Sequence, residues 1–102
     1  MNNFTFTLIK ETTIDIDMEK FIEKVIHLYD YYGNWEHKCT TWYLQLSIII
    51  EDMTLQDTWD YDNGYEVTRQ ILTNAIVYSR ARYDNNSVEI LQEILKLLDR
   101  NK

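Results

Sequence analysis

The chain has 102 residues, a formal net charge of −7, 45% apolar residues and one cysteine. That length suits one domain with one core. The acidity excludes nonspecific binding to phosphate backbones, which needs clustered Lys and Arg. A single cysteine excludes an internal disulfide, so a reducing cytosol is the expected setting.

No apolar run approaches the roughly 20 residues of a membrane span. The start, Met1-Asn2-Asn3-Phe4, lacks the basic-then-apolar order of a secretory leader. Proline is absent, and the only glycines, Gly33 and Gly64, divide the chain into three parts. Residues 3–16 alternate locally: Phe4, Phe6 and Leu8 oppose Thr5 and Thr7, the register shifts near Lys10-Glu11-Thr12, and Ile14 and Ile16 resume it. Thr, Ile and Phe favour a pleated surface, so one long strand or a bent strand pair is predicted. Asp17 is the expected N-cap of a helix over 18–32, with Ile16 and Phe21 at hydrophobic-staple spacing. Phe21, Ile22, Val25, Ile26, Leu28, Tyr29 and Tyr32 share one face of it, and Gly33 ends it.

Residues 41–50 fit two patterns. As a strand, Trp42, Leu44, Leu46, Ile48 and Ile50 alternate with Thr41, Tyr43, Gln45 and Ser47. As a helix, Cys39, Trp42, Leu46, Ile49, Ile50 and Met53 line one face, while Leu44 and Ile48 fall off it. Asn34 is a candidate cap for the helix, whereas Glu51 and Asp52 at its C-terminal end oppose the helix dipole. Residues 54–64 read as a loop ending in the turn signal Asn63-Gly64. A helix follows over 65–83, with Val67, Ile71, Ala75 and Tyr78 inward, and Asn85-Asn86 breaks it. The last helix, 87–100, gathers Val88, Ile90, Leu91, Ile94, Leu95, Leu97 and Leu98 on one half of its wheel, and Asn86 with Glu89 forms a capping-box-like start. So wide an apolar arc must be covered on two sides, by its own core or by a second copy in a homodimer. The fold class expected is α+β: a small helix-rich single domain with an N-terminal β-strand and three to four helices.

One interval stands apart in charge. Residues 39–68 contain no lysine or arginine, yet carry Glu51, Asp52, Asp57, Asp60, Asp62 and Glu66, interleaved with Trp59, Tyr61 and Tyr65. Carboxylates at that density can stand in for phosphates, and Trp and Tyr are the residues most enriched at binding hot spots. A solvated acidic loop with Trp59 tucked into the core is the plainer alternative.

Catalytic and metal chemistry find no template. With Gly64 at position six of a calcium loop, positions one and three fall on Trp59 and Tyr61, so EF-hand spacing fails. Glu36, His37 and Cys39 match no recurrent zinc spacing. Ser47, Ser79 and Ser87 lack a nucleophile-elbow context, and two glycines cannot build a phosphate loop. Asp15 and Asp17 suit the start of a helix better than acid–base work. Arg69, Arg80 and Arg82 form the one cationic concentration before the tail and read as helix-end charges pairing with nearby acids. No enzyme activity, cofactor or metal is expected.

In size, acidity, lack of catalytic motifs and an Ile/Asn/Asp/Tyr/Lys-leaning composition typical of AT-rich genomes, the chain resembles small phage-encoded anti-CRISPR proteins. Several of those are similar to DNA in charge distribution and block the nucleic-acid channel of a Cas effector. The resemblance implies a non-enzymatic, cytoplasmic inhibitor that meets a basic protein surface on a Cas effector or other nucleic-acid enzyme, with no direct nucleic-acid or membrane contact. Locally, Tyr31-Tyr32-Gly33, Trp35, Cys39 and Trp42 look a little like the Tyr-Tyr-Gly, cysteine and tryptophan run of barstar-like immunity proteins, with different spacings. That likeness implies an immunity protein or antitoxin that neutralises a nuclease toxin.

Overall fold

Among the described residues, two strands and four helices build a helix-rich α+β domain. The computed structural model describes residues 3–7, 13–32, 39–53 and 64–100. In chain order the elements are β1 (Asn3–Thr7), β2 (Thr13–Asp17), α1 (Met18–Tyr32), α2 (Cys39–Met53), α3 (Gly64–Ala81) and α4 (Asn85–Arg100).

Of the two readings of the N-terminus, the strand pair is the one adopted. β1 and β2 run antiparallel, with Phe4 opposite Ile16 and Thr5 opposite Asp15. The cross-strand pair Thr5 and Asp15 is joined by a side-chain hydrogen bond. Ile16 is fully buried, and the Phe4 ring meets Tyr78 of α3 edge-on at 5.1 Å, which seats the hairpin on the helices. The chain passes directly from β2 into α1. Asp17 Oδ1 accepts from the backbone N–H of Lys20 at 3.2 Å, so Asp17 is the cap its position predicts. Ile16 and Phe21, the staple pair, are both fully buried in one cluster.

Residues 41–50 are helical, which decides between the two patterns in favour of the helix. A strand would put Leu44, Leu46, Ile48 and Ile50 on one side. Instead Leu46 and Ile50 are buried, whereas Leu44 and Ile48 are 46% and 56% exposed. Alternation was an accident of two interleaved i, i+4 pairs. A helix satisfies its own backbone, and β1 and β2 already pair with each other. The anionic end that argued against a helix is offset by Lys24 of α1, whose Nζ lies 3.6 Å from Asp52.

The core joins Phe21, Val25, Leu46, Ile50, Ile71, Leu72, Leu91, Ile94 and Leu98 from all four helices. The wide arc of α4 is used within the chain: Val88, Leu91, Ile94, Leu97 and Leu98 are buried, with Ile90 and Leu95 packed at the edge. Thr68 and Ser79 of α3 are also buried, and their hydroxyls have no hydrogen-bond partner among the described residues.

The α3–α4 junction departs from expectation. α3 ends at Ala81 rather than 83, and α4 starts at Asn85 rather than 87, so Asn85-Asn86 opens a helix instead of breaking one. The N–H of Asp84 donates to the carbonyl of Ser79 at 2.9 Å and that of Tyr83 to Arg80 at 3.0 Å. This is the Schellman pattern, with Tyr83 at φ 60° in the place usually held by glycine. Asp84 also caps α4: Oδ1 accepts from the N–H of Ser87 at 3.1 Å and Oδ2 from its hydroxyl at 2.6 Å. The expected cap, Asn86 with Glu89, is displaced because a carboxylate two residues earlier, Asp84, already serves the free amide of Ser87.

A left-handed backbone costs a residue bearing a Cβ about 1–2 kcal/mol, and the Tyr83 side chain is 90% exposed. Tyr83→Gly is therefore expected to stabilise the protein by about 0.5–1 kcal/mol after the extra chain entropy of glycine is counted. The check is urea unfolding: a higher midpoint with unchanged slope for Tyr83→Gly and no gain for Tyr83→Ala. A lower midpoint for the glycine variant contradicts the assignment of strain.

Candidate functional site

The acidic-aromatic interval is held at both ends by helices. Glu51 and Asp52 lie in the last turn of α2, and Tyr65 and Glu66 in the first turn of α3. Asp57, Trp59, Asp60, Tyr61 and Asp62 lie outside the described residues, as do residues 54–63 of the predicted loop 54–64; Gly64, expected as the loop's turn residue, is instead the first residue of α3. Gly33 and Asn34, the expected stop of α1 and cap of α2, and the Glu36-His37 pair lie outside them too.

The four described members have different surroundings. Glu51 and Glu66 are exposed. Glu66 sits where the positive end of the α3 dipole favours an anion. Asp52 is exposed and bridged to Lys24, a surface pair worth about 0.2–1 kcal/mol and readily exchanged. Tyr65 is half-buried against the core, and its hydroxyl donates to Asp99 Oδ1 at 2.6 Å. Arg69 Nε reaches the same oxygen at 3.3 Å. Tyr65 therefore straps the start of α3 to the end of α4, while Glu51 and Glu66 are exposed at either side of the interval.

Sequence reasoning missed the carboxylates that organise the polar surface. Tyr29 of α1 donates to Glu93 of α4 at 2.6 Å, in the same manner as Tyr65 to Asp99. No sequence signal marks these pairs, because 64 and 34 residues separate the partners. Asp84 was legible, since an Asp three residues before a Ser is a capping pattern. Of Arg69, Arg80 and Arg82, only Arg80 stands in the last turn of α3; Arg69, near the start of α3, pairs with Asp99 of α4, and Arg82 of the α3–α4 turn lies 3.1 Å from Glu19. Arg82 also donates to the Tyr78 hydroxyl at 2.8 Å and lies over its ring.

Chemically, the described ends of the interval offer hydrogen-bond acceptors and negative charge. Among the described residues, no group of three or more His, Cys, Asp or Glu is placed to hold a metal ion. No described helix is long and apolar enough to cross a membrane. The fold and site define a small helix-rich α+β domain with an acidic interval between its second and third helices. No protein-family model matches the chain, and neither a curated protein nor a solved structure matches it.

The polar ties make a pH signature. The Tyr65 phenol is pushed above its ordinary value of 10.0, first by its hydrogen bond to Asp99, and the Tyr29 phenol likewise by Glu93. A phenol with a raised folded-state pKa contributes stability that is fully present below the unfolded value and lost as pH rises through the folded one. The Asp84 carboxyl is held below its ordinary value, first by the Ser87 hydroxyl and then by the Ser87 amide. Its contribution has the opposite sign: present above the unfolded value and lost as pH falls through the folded one. Ultraviolet titration of the tyrosines should show a late-ionising fraction, reduced in Asp99→Asn and again in Glu93→Gln. Unchanged curves for both variants contradict these bonds.

Proposed function

We propose that this chain is a non-enzymatic inhibitor of a nucleic-acid-binding effector, of the anti-CRISPR kind, which occupies a basic surface of its target through the acidic-aromatic interval. The observation that carries the reading is the absence of any lysine or arginine over residues 39–68, a stretch with six carboxylates and three interleaved rings. The exposure of Glu66 in the first turn of α3 supports it, because an exposed carboxylate is accessible to a partner's arginines. In this reading Asp57, Asp60, Asp62 and Glu66 pair with cations of the target, and Trp59 and Tyr61 anchor in pockets. Tyr65, engaged with Asp99, holds the frame. The setting implied is the cytosol of the host cell.

A second reading is an immunity protein or antitoxin that neutralises a toxin by direct binding. It is favoured by Tyr31, the first residue of the Tyr-Tyr-Gly run, which stands 76% exposed at the end of α1. Gene neighbourhood separates the two: a toxin gene alongside, or a phage anti-defence cluster.

Charge reversal tests the surface. Pull-down from host lysate identifies the cognate target, after which Asp60→Lys/Asp62→Lys should weaken binding by at least about tenfold. Raising salt should weaken the unaltered protein as well, through slower association. Unchanged affinity in the double variant would sink the proposal.

A further inference from the structure

A groove runs along α1 and α4. Glu19, Ile22, Ile26, Tyr29 and Asp30 line it from α1 at steps of three and four residues, so they form one helical stripe. That stripe spans roughly 16 Å of helix. Two open depressions make up the groove, about 220 Å³ at the start of α4 and about 550 Å³ farther along, and Ile26 borders both. Ile26, Tyr29 and Ile90 give the larger one an apolar floor, each only partly buried.

The charge along this groove does not balance. In the smaller depression Glu19 is set against Arg82, which leaves Asp84. In the larger one Asp30, Glu89 and Glu93 face Lys96. Ser87 and Tyr29 donate to Asp84 and Glu93, but as neutral donors they cancel no charge. Five carboxylates against two cations leave a formal charge of −3. Glu23 is left out of that count because it also borders the α1–α2 side, next to Lys20 and Lys24. A second observation at the same place points to a ligand. Ser79 lines the smaller depression at 1% exposure, and its hydroxyl has no hydrogen-bond partner among the described residues. A buried hydroxyl left unpaired is costly, and an incoming N–H relieves that cost.

We propose that the α1–α4 groove docks a basic amphipathic helix of a partner protein, with one Lys or Arg side chain entering the smaller depression. Its methylenes lie on Ile22 and Ile26, and its head group, beside Glu19 and Asp84, donates to the Ser79 hydroxyl. Further cations one and two turns along the helix meet Asp30, Glu89 and Glu93. Apolar residues between them cover Ile26, Tyr29 and Ile90. A groove bounded by two helices suits a third, because its residues recur at the same steps of three and four. Phosphate-bearing ligands are repelled by the same charge. A free polyamine matches the charge but leaves the apolar floor uncovered. The inference is independent of the proposed inhibitory surface, since no residue of 39–68 takes part.

The test uses a fluorescein-labelled helical peptide of Lys, Leu and Ala. One control peptide carries Glu for Lys, and the other Ser for Leu. Anisotropy should show the basic apolar peptide binding at least about tenfold tighter than either control. An acidic chain attracts any cationic peptide, so two double variants with the same change of charge are compared. Asp30→Lys/Glu89→Lys should weaken binding at least about tenfold, and Asp60→Lys/Asp62→Lys, in the inhibitory interval, by less than about twofold. Ser79→Ala should lower the affinity several-fold while circular dichroism confirms an unchanged fold. Equal loss in the two double variants overturns the proposal, since attraction then follows net charge alone. So does full affinity in Ser79→Ala, or an aliphatic tetraamine that binds as tightly as the peptide and displaces it, which assigns the groove to small cations.

Discussion

The α3–α4 junction is the constraint on which the remainder depends. A chain without proline, and with neither of its glycines near residue 83, still has to reverse direction between its two best-patterned helices. It does so by placing Tyr83 in the left-handed region and using Asp84 twice, to close α3 through its backbone N–H and to open α4 through its carboxylate. The reversal brings the apolar arcs of α3 and α4 together along their length. It also sets the far ends side by side, which is why Asp99, next to last in α4, meets Tyr65 and Arg69 in the first turns of α3. The frame of the acidic interval is thus determined by a turn at the opposite end of the helix pair.

On the described polar surface, carboxylates are engaged where helices must be registered. Asp99 and Glu93 each accept a phenol from another helix, Glu19 meets Arg82, and Asp52 meets Lys24. Each tie is weak alone, since both partners remain solvated. Together they bias the angles at which α1, α2 and α3 sit on their neighbours. Glu51 and Glu66, beside the interval itself, stay exposed.

Much of the fold was legible because local rules and global packing agree. The Asp17 cap, the Ile16–Phe21 staple and the inward faces of α1, α3 and α4 follow from spacing alone, and each residue set occupies the face its period assigns. Residues 41–50 were ambiguous for a physical reason: Leu44/Ile48 and Leu46/Ile50 are two i, i+4 pairs that together imitate alternation. Only burial separates them, Leu46 and Ile50 facing the other helices and Leu44 and Ile48 facing out. The helix boundary near 83 was misplaced because Asn85-Asn86 carries the usual breaker residues, while the actual reversal falls on a tyrosine.

The sequence by itself determined the class of fold, the single core, the helical faces and the cation-free interval, because these are properties of residue type and period. It also bounded the chemistry, since no spacing in the chain builds a metal or nucleophile template. Tertiary structure alone decided which polar groups meet. Tyr65 with Asp99, Tyr29 with Glu93 and Lys24 with Asp52 depend on helix crossings that no local signal encodes. It decided as well that Tyr65 serves the frame. Those outcomes depend on how helices cross, and crossing angles are fixed by the packing of the whole core.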